Sequence, residues 1–278
     1  MIKMLKTEQR NPKTMHIDEM SPLDMIKVIQ EENYNAVKAI DSQVEFIAEA
    51  VDRIAERIKL GGRLFYIGCG TSGRLGVLDA SECPPTYGVS PDLVVGIIAG
   101  GDSALRRASE GTEDSFELGM RDIEAYSVNK NDSVVGISCA GGAAYVLGAF
   151  AAADKVGALK IALTCNKGSK IDTSADIAIC TDTGAEVITG STRMKAGSAH
   201  KMVLNMISTA VMVRLGHVCE NLMINLRPSN QKLRLRMISI ASDLTGRDAE
   251  AAEKLLEENG FVLKDAIAAA RAEDGKEV

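Results

Sequence analysis

The stretch Leu64-Phe65-Tyr66-Ile67-Gly68-Cys69-Gly70-Thr71-Ser72-Gly73-Arg74-Leu75-Gly76 runs from four apolar residues into a series of small ones. It reads as a buried strand, a tight glycine turn and the start of a helix. Gly68, Gly70 and Gly73 satisfy G-x-G-x-x-G, so a dinucleotide fingerprint is one reading. The acid that holds a ribose in that motif, about 20 residues on, has no clear counterpart, because Glu82 precedes the next apolar run and Asp102 follows a Gly-Gly turn. Thr71 and Ser72 point elsewhere. Two hydroxyls beside the free N–H groups of a helix start suit a phosphate monoester. A strand-to-helix turn that holds no ligand is the third reading.

Outward from this stretch the pattern repeats. Short apolar runs recur at Leu93–Ile98, Val134–Ile137, Ile161–Leu163 and Ile177–Ile179, most of them followed by Gly-, Ser- or Thr-rich segments with helical patterns between. Near-continuous apolar strands alternating with helices predict a parallel sheet covered on both faces, with ligands bound at the carboxyl ends of the strands. Upstream, Ser21-Pro22-Leu23-Asp24 is a helix start, and Val37, Ile40, Val44, Ile47, Val51, Ile54 and Ile58 form one stripe. That stripe predicts a single long amphipathic helix ended by Gly61-Gly62, packing on the protein's own core or on another subunit. After residue 199 the chain reads as helices, Met202–Leu215, Asn230–Leu244, Asp248–Glu258 and a last short one, with a break at Thr245-Gly246-Arg247-Asp248. The expected division is an N-terminal arm with helices over 1–60, a sheet domain over 61–225 and a helical region over 226–278.

Composition narrows the function. With 32 Lys+Arg against 38 Asp+Glu the net charge is −6, and aromatic residues are only 4% with no Trp. Neither a phosphate-backbone binder nor a base-stacking platform is expected, so no nucleic-acid partner. No apolar run approaches the ~18 residues of a membrane helix, Ala143–Ala153 being about as long as any, and residues 1–15 hold no apolar core of a signal peptide. A cytoplasmic protein without membrane contact is expected. The six cysteines form no C-x-x-C pair and lie in apolar segments, and the three histidines are far apart in sequence. Reduced buried thiols and no metal are the expectation.

Four further motifs carry candidate chemistry. Val134-Val-Gly-Ile-Ser138-Cys-Ala140-Gly141-Gly142-Ala143-Ala144-Tyr145 is a second strand, small-residue loop and helix, able to add backbone donors and the Ser138 hydroxyl to the same ligand. Asp79-Ala-Ser81-Glu82-Cys83-Pro84-Pro85-Thr86 puts a carboxylate before a Pro-Pro pair, on a segment expected to be stiff and non-helical. Glu110-Gly111-Thr112-Glu113-Asp114 places another near a helix start. Two carboxylates on loops of one sheet face can act as general acid and base, though an acid in a loop is more often simply solvated. Gly184-Ala-Glu186-Val-Ile-Thr-Gly190-Ser191-Thr192-Arg193-Met194-Lys195-Ala-Gly197 combines glycines, hydroxyls and two cations ahead of a long apolar helix. It reads as an anion site or as a helix cap with solvated cations, with His200 buried beyond it.

The blocks RNPKTMHID, GCGTSGRLGVLDASECPPTYGV, IIAGG, EGTEDS, GAEVITGSTRMKAGSAHKMVLNM and ENLMINLRPSN, in this order, resemble the N-acetylmuramic acid 6-phosphate etherase family over essentially the whole chain. The chain also resembles the glucokinase regulatory protein, which binds sugar phosphates without catalysis. The resemblance implies a sugar isomerase (SIS) domain, an α/β fold with a flavodoxin-like doubly wound parallel sheet, N-terminal helices and a small C-terminal helical region. It implies a homodimeric lyase that needs no cofactor and cleaves the D-lactyl ether of a sugar phosphate. Glu82 is then the acid toward the leaving lactate and Glu113 the base, with the division of roles open. Gly70, Thr71, Ser72, Gly73, Ser138 and Gly141 are expected to bind the substrate. Where the family has a Ser-Gly-Arg-Thr-Pro loop, this chain has Ala140-Gly141-Gly142-Ala143-Ala144, and it stops short of the family's usual C-terminal helices. Two hydroxyls and an Arg toward the phosphate are missing, which at roughly 1.5–3 kcal/mol per charged hydrogen bond keeps a second reading open: a sugar-phosphate-binding regulator or sensor. A third is an aldose–ketose isomerase, against which the SECPPT segment counts.

Overall fold

The computed structural model describes residues 5–109, 111–226, 228 and 230–273. These form two compact units. One is the chain up to Ser81 together with Asp92–Val211; the other is Glu82–Pro91 together with the chain from Met212.

In chain order, three short 3-10 turns are followed by α1 (Pro22–Asp41), α2 (Val44–Lys59), β1 (Leu64–Gly68), α3 (Gly70–Tyr87), β2 (Val94–Ile98), α4 (Ser103–Arg106), α5 (Phe116–Glu124), β3 (Ser133–Ile137), α6 (Ala144–Val156), β4 (Leu159–Thr164), α7 (Lys170–Ser174), β5 (Ile177–Cys180) and α8 (Lys195–Arg214). All five expected strands form. They make one parallel sheet in the order β2-β1-β3-β4-β5, the flavodoxin-like order. In β1, alternate residues face opposite ways: Phe65 and Ile67 belong to the core built by Tyr145, Val146, Ala149 and Phe150 of α6, whereas Tyr66 meets Gly76 of α3. The sheet is therefore covered on both faces, which is why its strands read as unbroken apolar runs.

The N-terminal stripe does not make one helix. It breaks at Ser42-Gln43 between α1 and α2. The Gln43 amide oxygen accepts the Cys180 N–H of edge strand β5 at 2.8 Å, so the break trades helix continuity for a bond to an otherwise unpaired edge donor. The seam also divides. Ile40, Ile47, Val51 and Ile54 are buried in the unit's own core, while Val37 and Val44 stay about half exposed.

In the second unit, β6 (Val218–Cys219) and β7 (Leu222–Met223) form a short antiparallel pair, followed by α9 (Gln231–Thr245), α10 (Ala249–Glu258) and α11 (Leu263–Glu273). The break read at Thr245–Asp248 is present: Gly246 closes α9 at φ +69°, and Asp248 caps α10 by accepting the Ala251 N–H at 2.9 Å. Met237, Ala241, Leu255, Leu256, Leu263 and Ala266 form its core.

The α5–α6 contact bears directly on the loops. A Cβ on Gly119 of α5 would lie 1.8 Å from the Tyr145 carbonyl oxygen, and one on Gly148 of α6 would lie 1.9 Å from that of Phe116. Backbone touches backbone at this crossing, so neither position tolerates a methyl group without the helices separating. Gly148→Ala is expected to cost roughly 1–3 kcal/mol by overpacking, lowering Tm by about 2–4 °C for each kcal/mol. Gly142→Ala, where a Cβ meets nothing within 4 Å, is the control that should leave Tm in place in the same thermal melt.

Candidate active site

The strand order reverses direction between β1 and β3, and both glycine-rich loops leave the sheet there. Gly68 at the end of β1 pairs with Ile137 at the end of β3. Only Cys69 separates β1 from α3, which begins at Gly70 with φ +53°. Thr71 and Ser72 thus occupy the first turn of an 18-residue helix whose N–H groups point out of the sheet's carboxyl edge. Gly73 is fixed by space, since a Cβ there would lie 2.5 Å from the Gly68 carbonyl oxygen and 2.6 Å from Ile98. Ser72 is buried, and its hydroxyl lies against the Cys139 thiol of the second loop, so the two loops meet across the switch point.

In the second loop the Ser138 hydroxyl accepts the Gly141 N–H at 3.1 Å. Gly141 sits at φ +76°, where a side chain would strike Ser169. The cap of α6, Ala143, offers no side-chain bond to the helix start. That end is built from backbone alone, as the Ala140–Ala144 composition implies.

Glu113 stands between the loops. Its carbonyl accepts the Tyr145 N–H at 3.0 Å, and its carboxylate, with that of Asp114, adds to the burial that pushes the Cys69 thiol up to about 12. A thiol held so high is no nucleophile near neutral pH. Glu113 itself is exposed. Glu110 of the same motif lies outside the described residues.

Glu82 is exposed and belongs to the second unit. It lies on α3, which corrects the expectation of a non-helical segment: Pro84 and Pro85 fall inside the helix. Proline's fixed φ is compatible with a helix, and the two lost N–H groups, which would have bonded carbonyls four residues back, fall in the last turn, where the ladder ends soon after. The turn closes where the Gly88 N–H donates to the Pro84 carbonyl at 2.9 Å.

Asp79, three residues before Glu82, accepts from Asn205 at 2.6 Å and Ser208 at 3.2 Å, tying α3 to α8. Burial raises its carboxyl above the usual range against the pull of these bonds.

The segment before α8 contains a feature that the sequence did not disclose. Lys195 is not solvated. It forms a buried ion pair with Glu32 of α1, the two side chains being 3% and 6% exposed. Burial alone would raise the Glu32 carboxyl, but Lys195, Lys13 and Asn11 hold it below its ordinary value. Glu186 caps α8, its oxygens accepting the N–H groups of Lys195 at 3.3 Å and Ala196 at 2.9 Å, while burial raises its own pKa. Arg193, in contrast, is exposed, and with Thr71, Ser198 and Lys201 it lines a cleft of about 320 Å³. Lys201 was missed in the sequence. Its spacing of four from Gly197 on a helix that follows a hydroxyl-rich segment was the available signal.

His200 is fully buried, as expected, but against Cys139 and Cys165. Of the residues singled out in the sequence, Thr71, Ser72, Gly73, Ser138, Gly141 and Glu113 come together at the β1–β3 switch. No helix among the described residues is long and apolar enough to cross a membrane.

Comparisons with known proteins agree with this architecture. Residues 46–154 match the glucokinase regulatory protein N-terminal SIS domain and residues 120–213 the SIS domain. The chain is 52% identical over 263 residues to an N-acetylmuramic acid 6-phosphate etherase of Caldanaerobacter subterraneus, covering 95% of this chain and 86% of that protein. It is 50% identical over 266 residues to the protein of the same name in Clostridium beijerinckii, covering 96% and 88%. Among solved structures, a phosphoheptose isomerase from Francisella tularensis superposes with a TM-score of 0.56 at 20% identity, over 70% of this chain and all of that one. That likeness supports the sheet and helix arrangement.

The Glu32–Lys195 pair gives a pH test. A carboxyl depressed in the folded state stabilises above its unfolded value of about 4.5, and the contribution is lost as pH falls through the folded value. Glu32→Gln leaves the Lys195 ammonium buried and unpaired, at a cost of about 3–5 kcal/mol. In urea melts the gap between wild type and variant should be full at neutral pH and shrink below pH 4.5.

Proposed function

Since the chain belongs to the N-acetylmuramic acid 6-phosphate etherase family, we propose that it cleaves the D-lactyl ether of N-acetylmuramic acid 6-phosphate to N-acetylglucosamine 6-phosphate and D-lactate. The phosphate docks at the first turn of α3, on Thr71, Ser72 and the N–H groups from Gly70 to Gly73, with Ser138 and Gly141 closing the other side. In the ring-opened sugar the C1 aldehyde acidifies the C2 proton. A base takes that proton, the C2=C3 double bond forms, and lactate leaves from C3 with a proton from an acid. Water then adds across the double bond, its hydroxyl to C3 and a proton to C2, so the net reaction consumes one water.

Glu82 and Glu113 supply the acid and base of both half-reactions, Glu82 toward the leaving lactate and Glu113 toward C2. The convergence of two glycine loops and Glu113 at the β1–β3 switch, in a chain half identical to etherases over nearly its full length, carries this reading. A protein that only bound the sugar would need neither acid as a catalyst. The loop Ala140–Ala144 holds its share of the phosphate through backbone N–H groups.

The enzyme acts as a cytoplasmic homodimer in the recycling of cell-wall amino sugars. The apolar face of α1, on which Leu23 and Ile26 are each 63% exposed and Tyr34 and Val37 follow at helical spacing, supports the dimer.

Incubation with N-acetylmuramic acid 6-phosphate should release D-lactate. Glu82→Gln and Glu113→Gln should each slow release by roughly 10²–10⁴-fold, and Thr71→Val should raise KM by about tenfold for one lost charged hydrogen bond. A folded wild type that binds the sugar phosphate yet releases no lactate would overturn the etherase reading in favour of a sugar-phosphate sensor.

A further inference from the structure

Cys139, Cys165 and His200 are scattered in the sequence and meet in the interior. The register that pairs Ile137 with Leu163 carries on past the strand ends, setting Cys139 beside Cys165, whose N–H donates to the Cys139 carbonyl at 3.0 Å. His200 of α8 enters between the two thiols. Its Nδ1 is 3.6 Å from Cys139 Sγ and its Nε2 is 3.4 Å from Cys165 Sγ. One donor atom from each residue can be chosen so that all lie within 4.8 Å of one another, and all three residues are buried.

As hydrogen-bonding groups these are poorly matched, because thiols are weak donors and weak acceptors. As ligands they are well matched. An ion held tetrahedrally at about 2.3 Å from sulfur and 2.0–2.1 Å from nitrogen sets S and N roughly 3.6 Å apart. The two sulfur–nitrogen separations lie close to that value, one to each ring nitrogen, so an ion would be taken up with the imidazole rotated until a single nitrogen faces both sulfurs. Two thiolates and a neutral imidazole also cancel a dication, so the ion would sit in this buried pocket without adding net charge to it. The Thr192 carbonyl, 3.9 Å from Cys139 Sγ, is at hand as a fourth donor. A cleft lined by Lys6, Asn166 and Asp182 borders Cys165.

We propose that Cys139, Cys165 and His200 form a binding site for a thiophilic divalent cation, with zinc the best fit. Its role is structural. Cys139 lies inside the second glycine loop, Cys165 follows β4 and His200 belongs to α8, so one ion clasps that loop to two neighbouring elements. The site takes no part in the ether cleavage and stands or falls independently of it.

The test uses the whole 278-residue chain, reduced until all six thiols titrate, stripped with a chelator and titrated with cobalt(II). The expected result is a thiolate-to-cobalt charge-transfer band with tetrahedral d–d absorption, saturating at one ion per chain and displaced by zinc. Cys139→Ser, Cys165→Ser and His200→Gln should each abolish it, whereas Cys219→Ser should retain it. X-ray absorption at the zinc edge of the loaded wild type needs no variant and should show two sulfurs and one imidazole nitrogen. No cobalt band in the reduced wild type, a band that survives Cys165→Ser, or a zinc shell of nitrogen and oxygen alone would overturn the proposal.

Discussion

Everything at the site depends on the reversal of strand order between β1 and β3. In the order β2-β1-β3-β4-β5 the chain moves outward in one direction from β1 and in the other from β3, so their connections cover opposite faces of the sheet. A crevice opens where neither connection crosses. Two helix starts, those of α3 and α6, face it from either side. Both are made of residues small enough to let backbone N–H groups come forward: Gly70 and Gly73 on one side, Gly141 and Ala143 on the other. Anion binding there follows from backbone geometry and helix dipoles, and it holds in a chain whose overall charge is negative.

The crevice is held open by contacts at some remove. The glycine-to-backbone crossing of α5 and α6 sets the height of α6 and, through the Glu113 carbonyl on the Tyr145 N–H, the place of Glu113. The start of α8 is fixed by Glu186 on its N–H groups and by Lys195 against Glu32. The same Glu32 accepts from Asn11 at 2.9 Å, and Thr14 donates to the Val187 carbonyl at 2.8 Å. The N-terminal arm is therefore strapped to the segment that carries Arg193 toward Thr71.

The strands, the glycine loops and the helix stops at Gly246 and Asp248 were legible in the sequence because each is a local signal: an apolar run, a forced φ, a capping side chain. What escaped was tertiary. The stripe from Val37 to Ile58 is continuous, and nothing local announces that Gln43 leaves the helix to serve the edge of β5. Pro84 and Pro85 read as helix breakers, yet their fixed φ suits a helix and they fall in its last turn, where the hydrogen-bond ladder ends soon after. Lys195 looked like a solvated cation because its partner, Glu32, is 163 residues away. Cys139, Cys165 and His200 looked unrelated because sequence distance says nothing about strands that end side by side.

The most direct test of the central claim is a crystal structure of the protein with N-acetylglucosamine 6-phosphate bound. The phosphate should lie at the β1–β3 switch, within hydrogen-bond reach of Thr71, Ser72 and the N–H groups of both loops. A phosphate lodged instead between Arg193 and Lys201, with the first turn of α3 bare, would contradict it.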